Sequence, residues 1–275
     1  MSYVISIAVI AALAIYFLLP LWWLFVSSTK TYGEIFSTNQ LWFYKPSLNS
    51  YIDALGRPLY PILRWLGNSL ITAVGAGAIG AFFSAMAGYA LSKFRFTGRN
   101  VLMVIILIAL MIPSVALAFP QYLEEQQLGL TNSWEAIMLP SAVSAFGAFF
   151  MAIYAEDSIP KEVLEAARLD GATELKIFRS IVLRFFKPAL ITVFIIIFGA
   201  TWNTFLLPLF VERNPSWYTL PQGLTDVVTL GAGNITLEYE ILFAGSVIAV
   251  IPLVVLVLSL EKYIESGLGL GAVKA

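Results

Sequence analysis

Few side chains in this sequence could do chemistry. There is no cysteine and no histidine. That removes thiol nucleophiles, disulfides, imidazole acid–base catalysis and the usual zinc ligands. What remains is recognition chemistry, and it concentrates at two places. One is LEAARLDGATELKIFRSIVLRFF, residues 164–186, where Glu165, Ala166, Ala167, Asp170 and Gly171 are followed by Ile181 and Leu183. Alanines there permit close approach, carboxylates can pair with bases on a partner, and a glycine can end a helix in the left-handed conformation. The other is Trp202-Asn203-Thr204, one aromatic ring and two polar side chains inside a long apolar run. Such a set suits either the passage of a polar solute or hydrogen bonds between packed helices.

Composition says which elements must hold these residues. Of the 275 residues, 59% are hydrophobic and only 12% charged, against about 25% charged in soluble domains. A helix crossing a bilayer needs about 20 apolar residues. Six windows of that order lack Asp, Glu, Lys and Arg: Tyr3–Val26, Trp65–Leu91, Val101–Tyr122, Ala136–Ala155, Ala189–Val211 and Ile241–Leu260. They are continuous apolar runs and not the alternating segments of barrel strands. The predicted fold is therefore an all-α polytopic membrane protein, one transmembrane domain over residues 1–275 with six spans. Basic residues mark the cytoplasmic side. Eleven fall in the 2–3 and 4–5 connections and the C-terminal tail, and four in the other loops, with Arg64 at a boundary. Both termini are then expected in the cytoplasm. The formal net charge of −1 gives no bias towards nucleic acid.

The 4–5 connection, residues 156–188, is too charged to lie in lipid. A first helix is expected from an N-cap at Ser158, with Pro160 early in it, running through Lys161–Asp170 to Gly171. A second is expected from near Thr173. Ile177, Ile181 and Phe185 recur there every four residues beside Phe178 and Val182, forming one apolar stripe. Lys176, Arg179, Leu183 and Lys187 fall mostly on another face. Such a helix–glycine–helix elbow could lie on the lipid surface or dock into a groove of a soluble partner. Its mixed charge, with Glu162, Glu165, Asp170 and Glu174 among the bases, favours the partner. Elsewhere, Gly75, Gly77, Gly80 and Gly88 are expected to let helices approach closely. Trp22, Trp23, Trp42, Trp65, Trp134 and Trp217 are expected to anchor span ends at the membrane interface. Pro113, Pro120 and Pro208 are expected to kink or break their helices.

Glu165-Ala166-Ala167, three residues, Gly171, nine residues and Ile181-x-Leu183 resemble the EAA loop of ABC importer permeases. Ile159-Pro160 and Leu169-Asp170-Gly171-Ala172 extend the match within the loop. So do Asn68-Ser69-Leu70, Tyr89-Ala90-Leu91-Ser92, Phe96-x-Gly98-Arg99, Pro113, Trp202-Asn203-x-Phe205-Leu206 with Pro208, and Gly271-Ala272-Val273-Lys274 outside it. Together these make most of the chain similar to the MalG-type permeases of carbohydrate importers. The sequence departs from that pattern at Arg184, where the family has proline, and at Thr204, where it often has an acid.

The resemblance implies a permease of the bacterial or archaeal cytoplasmic membrane. It implies alternating access and three partners: a second, homologous permease, a pair of ATPase subunits and an extracytoplasmic solute-binding protein. It assigns Glu165, Ala166, Ala167, Asp170, Gly171, Ile181 and Leu183 to coupling with the ATPase. Trp202, Asn203 and Thr204 become candidates for the translocation path. It also suggests that the tail Gly267–Ala275 reaches towards the ATPase. The chain has no Walker A sequence, so no cofactor is expected on it, and ATP with magnesium belongs to the ATPase. Alternatives are the same importer class carrying glycerol phosphate, an amino acid or another small solute, and an ATP-independent channel or carrier. Coupled carriers usually hold ionisable groups inside their spans, and the six windows hold none. A membrane enzyme would have few catalytic groups to work with.

Overall fold

The computed structural model describes residues 2–229 and 235–269; for residues 2, 235–237 and 262–269 it describes the backbone only. Every regular element among the described residues is helical. In chain order they are α1 (Ser2–Ser27), α2 (Tyr32–Ser37), α3 (Asn49–Gly56), α4 (Ile62–Lys93), α5 (Arg99–Leu110), α6 (Ser114–Gln127), α7 (Glu135–Ala142), α8 (Ala145–Ser158), α9 (Lys161–Leu169) and α10 (Glu174–Ile177). A π-turn, Phe178–Val182, then leads into α11 (Leu183–Trp202), followed by α12 (Leu206–Val211), α13 (Leu220–Thr229) and α14 (Ile235–Gly269).

Among the described residues, five stretches are long and apolar enough to cross a membrane: Tyr3–Ser27, Ile62–Lys93, Glu135–Ser158, Glu174–Trp202 and Glu238–Glu261. The expected sixth, Val101–Tyr122, is not one straight rod. It is the pair α5 and α6, bent by 104°. Pro113 causes the bend: it has no N–H for the helical ladder and pushes Ile112 towards extended backbone. The expected span Ala189–Val211 is also corrected. Its helix begins upstream at Glu174 and stops at Trp202, and α12 is a separate piece beyond a break at residues 203–205. A third break, at Val143–Ser144, divides α7 from α8. There Ser144 Oγ accepts from the Gly147 N–H at 2.9 Å and caps α8.

The chain divides into two compact units. One comprises Met1–Leu66 with Tyr218–Leu253, the other Gly67–Trp217 with Val254–Ala275. In the first, Trp65 is buried, 1% exposed, with its ring 6.3 Å from that of Tyr218. A Cβ at Gly223 would run into its indole. Ile62, Leu220, Leu224 and Ile241 are buried in the same unit. The expectation that Trp65 anchors a membrane interface therefore fails: its side chain is enclosed by protein. Trp23 meets Phe243 edge-on at 5.5 Å, and the Tyr32 N–H donates to Glu240 Oε1 at 2.8 Å.

In the second unit, the core runs through α4, α8, α11 and the elbow, with Ala76, Ala81, Ala85, Met151, Phe186 and Val193 buried in it. Small residues on α4 allow this packing. A Cβ at Gly88 would meet the Met151 and Ala152 backbone, and one at Gly80 would meet the Ala142 carbonyl. Gly75 and Gly77 face Met138 and Phe194.

Candidate coupling elbow and cavity

α8 runs on to Ser158, whose hydroxyl donates back to the Tyr154 carbonyl at 2.6 Å. Ser158 is thus spent inside α8, and Pro160, not Ser158, stands at the N-cap of α9. The far end of α9 is as expected. Asp170 is its last near-helical residue, and Gly171 turns left-handed at φ +78°. The Gly171 N–H donates to the Arg168 carbonyl and the Ala172 N–H to the Ala167 carbonyl, each at 3.0 Å. These are the two bonds of a Schellman ending, and they absorb carbonyls that the helix leaves over. Ala172 and Ala167 both belong to the core beneath the turn. Thr173 then starts α10, its Oγ1 accepting from the Lys176 N–H at 3.4 Å.

The two arms are also tied by side chains. Arg168 Nε donates to Glu174 Oε1 at 2.7 Å, and the Tyr89 hydroxyl donates to Glu174 Oε2 at 2.9 Å. Glu174 thus joins α9, α10 and the end of α4. The bond to Glu174 raises the Arg168 pKa above its ordinary value, so the guanidinium stays charged. Two further ties hold the elbow's entry to α4: Ser92 Oγ to Glu156 Oε2 at 2.9 Å, and Lys93 Nζ to the Ile159 carbonyl at 3.0 Å. The sequence reading assigned no role to Tyr89, Ser92, Lys93 or Glu156. Tyr89-Ala90-Leu91-Ser92 had stood out as a motif, and a tyrosine and a serine beside Lys93 at a span end were the available signal.

The seven residues assigned to coupling divide into two sets. Glu165, Ala166, Asp170 and Gly171 are exposed, while Ala167 is buried. Ile181 and Leu183 pack against the core, so they anchor the elbow from within. Two leucines of the elbow outside that set are also exposed: Leu169, 89% exposed, and Leu175, 63% exposed. Leu169 lies one helical turn after Glu165 on α9, so an apolar side chain and a carboxylate neighbour each other on its exposed face, chemistry that suits a groove on a partner. The apolar stripe is also shifted. Phe185 lies at the surface and Phe186 is fully buried. The buried line passes through Phe178, Val182, Phe186, Ala189 and Val193, at helical spacing. Arg184 is exposed and α11 passes through it unbroken; the proline of this helix is Pro188.

The second candidate set separates. Trp202 is buried, 3% exposed, and stacks on Phe198 with ring centroids 5.6 Å apart. Asn203 and Thr204 line a cavity of about 620 Å³ that Trp202 does not line. Asn203 Nδ2 donates to the Gly199 carbonyl at 2.7 Å, which fastens the break to the end of α11. Trp134 and Trp217, expected at an interface, meet each other at 5.6 Å, and Trp134 Nε1 donates to Asn68 Oδ1 at 3.0 Å. The expectation for the tail Gly267–Ala275, with its Gly271–Lys274 match, lies outside the described residues except for the backbone end of α14.

Helices of membrane-spanning length, broken where they line a cavity, with a braced polar elbow at one end, define a multi-pass membrane transport component. The chain belongs to the family of binding-protein-dependent transport system inner membrane components, whose model matches residues 77–269. It is 33% identical over 266 residues to the arabinooligosaccharides transport system permease protein AraQ of Bacillus subtilis, covering 95% of this chain and 92% of that one. The protein of the same name from Halalkalibacterium halodurans is 39% identical over 210 residues, 76% of this chain and 74% of that one. In fold, the chain is similar to a chain in the crystal structure of a bacterial ABC transporter involved in the import of the acidic polysaccharide alginate. The TM-score is 0.82 at 24% identity, with 95% of each chain covered.

Proposed function

We propose that residues 1–275 form one transmembrane domain of an ATP-driven carbohydrate importer, paired with a second, homologous permease. A solute-binding protein delivers the cargo, a sugar or oligosaccharide. The pair opens to one side of the membrane at a time as a separate ATPase dimer binds and hydrolyses ATP with magnesium. Family membership supports the class, and the names of the most similar relatives support a saccharide cargo. The distribution of Lys and Arg supports a cytoplasmic elbow and cytoplasmic termini, and family membership supports the inner membrane of a bacterial or archaeal cell.

The observation that carries the mechanism is the braced elbow. An exposed face of Glu165, Ala166, Leu169, Asp170 and Leu175 offers shape and charge to a cleft on the ATPase. Behind it, Glu174, Ser92 and Lys93 tie the elbow to α4, and the backbone continues through the π-turn into α11. Displacement of the elbow is thus delivered to two spans at once. Ile181 and Leu183 keep the elbow rigid on its core. Asn203 and Thr204 belong to the translocation path, while Trp202 packs the helix end.

The test is reconstitution in proteoliposomes with the co-encoded permease and ATPase. The expected result is uptake of arabinotriose or maltotriose that requires ATP and is stimulated by the binding protein. Uptake by this chain alone, without an ATPase, would refute the reading.

A further inference from the structure

The motif Phe96-x-Gly98-Arg99 has no part in the elbow or the cavity. It lies where the chain leaves α4, which ends at Lys93, and enters α5. The Arg99 N–H donates to the Phe96 carbonyl at 3.3 Å, and Gly98 between them turns left-handed at φ +90°, a conformation that such turns reserve for glycine. The turn folds Arg95 and Arg99 around one hollow of about 380 Å³, lined also by Phe96, Gly98, Asn100 and Val101. Among the described residues the two guanidiniums have no counter-charge: the ion pairs there are Arg57 with Asp53, Lys93 with Glu156 and Arg168 with Glu174. Neither arginine makes a side-chain hydrogen bond to those residues. Lys93, two residues before Arg95, is by contrast spent on the Ile159 carbonyl at 3.0 Å. A guanidinium pairs best with a phosphate or a carboxylate, two bonds at a time, and Asn100 adds a neutral donor.

A second observation says where that anion comes from. α5 has no buried residue. Val101, Val104, Ile105 and Ile108 recur on it at helical spacing, each more than half exposed. This apolar stripe starts at the hollow itself, since Val101 belongs to both. α5 has 12 residues, about 18 Å of helix, before the Pro113 bend, and one leaflet offers about 15 Å of hydrocarbon. A cationic hollow with an apolar stripe one leaflet deep beneath it matches a phospholipid, headgroup and chain together. A soluble phosphate or an acidic peptide would use the arginines and leave the stripe bare.

We infer that Arg95 and Arg99 seat the phosphate of an anionic phospholipid of the cytoplasmic leaflet, whose chains lie along α5. The choice of leaflet rests on the topology proposed for the importer; the basic pair and the stripe do not depend on it. Basic pockets beside span ends on that side are a recurrent seat for anionic headgroups.

The test uses the full complex in nanodiscs, with a bimane label on Val104→Cys. The unsubstituted chain has no cysteine, so the unsubstituted complex serves as the blank. Phosphatidylglycerol with brominated chains should quench the label at an about twentyfold lower mole fraction than brominated phosphatidylcholine, about fivefold for each arginine. Arg95→Gln with Arg99→Gln should abolish the preference. Arg95→Lys with Arg99→Lys, which keeps charge and topology, should retain part of it. Equal quenching by the two lipids, or a preference unchanged in the double glutamine variant, would overturn the seat. Quenching by neither would also overturn it and would mean that protein covers the stripe. Loss of the preference on adding inorganic phosphate, but not sodium chloride of the same ionic strength, would overturn it in favour of a soluble anion. Thr97→Cys should react with a membrane-impermeant maleimide in inverted vesicles only. Reaction in right-side-out vesicles would overturn the leaflet and the importer topology, while the quenching still decides the seat.

Discussion

Replacing Gly171 by valine tests the elbow at its narrowest point. Gly171 sits at φ +78°, and a Cβ built there meets nothing within 4 Å. Packing within this chain therefore plays no part, and an effect on the turn itself must come from the backbone. An L-residue in the left-handed region costs about 1–2 kcal/mol, with a β-branched residue at the upper end. The two bonds that close the turn, from the Gly171 and Ala172 amides, contribute about 1 kcal/mol each. The strain is thus comparable with what holds the turn shut. A penalty of about 2 kcal/mol shifts the open-to-closed ratio by roughly thirtyfold. In the reconstituted complex, hydrogen exchange at the Gly171 and Ala172 amides should accelerate by about that factor. Substrate-stimulated ATP hydrolysis should fall, while the protein still inserts. Gly171→Asn should remain within a few-fold of wild type, since asparagine tolerates this conformation. Unchanged stimulated hydrolysis in the valine variant would sink the coupling assignment. An asparagine variant as impaired as the valine one would refute the conformational argument.

The two bonds to Glu174 should differ in weight. Tyr89→Phe removes a partly buried donor and should loosen the elbow by about 1 kcal/mol, or some fivefold in exchange at α10. Arg168→Ala breaks an ion pair whose side chains are each about 40% exposed and should cost less than about 1 kcal/mol, falling further at high salt. Gly88→Val would drive a side chain into the Met151 backbone; overpacking of about 1–3 kcal/mol should lower the melting midpoint in detergent. Trp65→Ala should destabilise the first unit by about 3–5 kcal/mol, seen as a lower midpoint in the same melt; an unchanged midpoint would mean the indole is not part of that core.

The sequence made legible whatever depends on length, charge or a single conformational demand. Apolar runs located the helices of spanning length, and Gly171 located the turn because few other residues accept φ +78°. Breaks within spans were less visible. Pro113 signalled one, but Val143–Ser144 and residues 203–205 carry no proline at the break, and an apolar count passes straight through them. On the elbow, Ile177, Phe178, Ile181 and Val182 enter or pack on the core as the stripe predicts; its last member is Phe186 and not Phe185, two neighbours that both lie near helical spacing from Ile177 and Phe178. The fifth span was bounded by its apolar window, and the helix that carries it runs on upstream through Lys176, Arg179, Arg184 and Lys187 to Glu174. They lie on its exposed side while Ile177, Phe178, Val182 and Phe186 enter the core. Trp65 was read from its type, and only tertiary packing could enclose it. Glu174, Ser92 and Lys93 find partners far away in sequence, which no local pattern specifies.

Residues Glu174–Trp202 form one helical rod of 29 residues. At 1.5 Å per residue it is about 43 Å long. One end is Glu174 in the elbow; the other, with the break just past it, contributes Thr201, Asn203 and Thr204 to the cavity wall. The rod thus joins the elbow to the cavity wall. A tilt of about 5° about its cytoplasmic end would sweep the cavity end sideways by about 4 Å over that length. That is of the order of the width of a sugar ring; the same tilt carries Phe186, about 18 Å along the rod, by about 1.6 Å, so the close packing around its buried ring must yield before the cavity end can move that far.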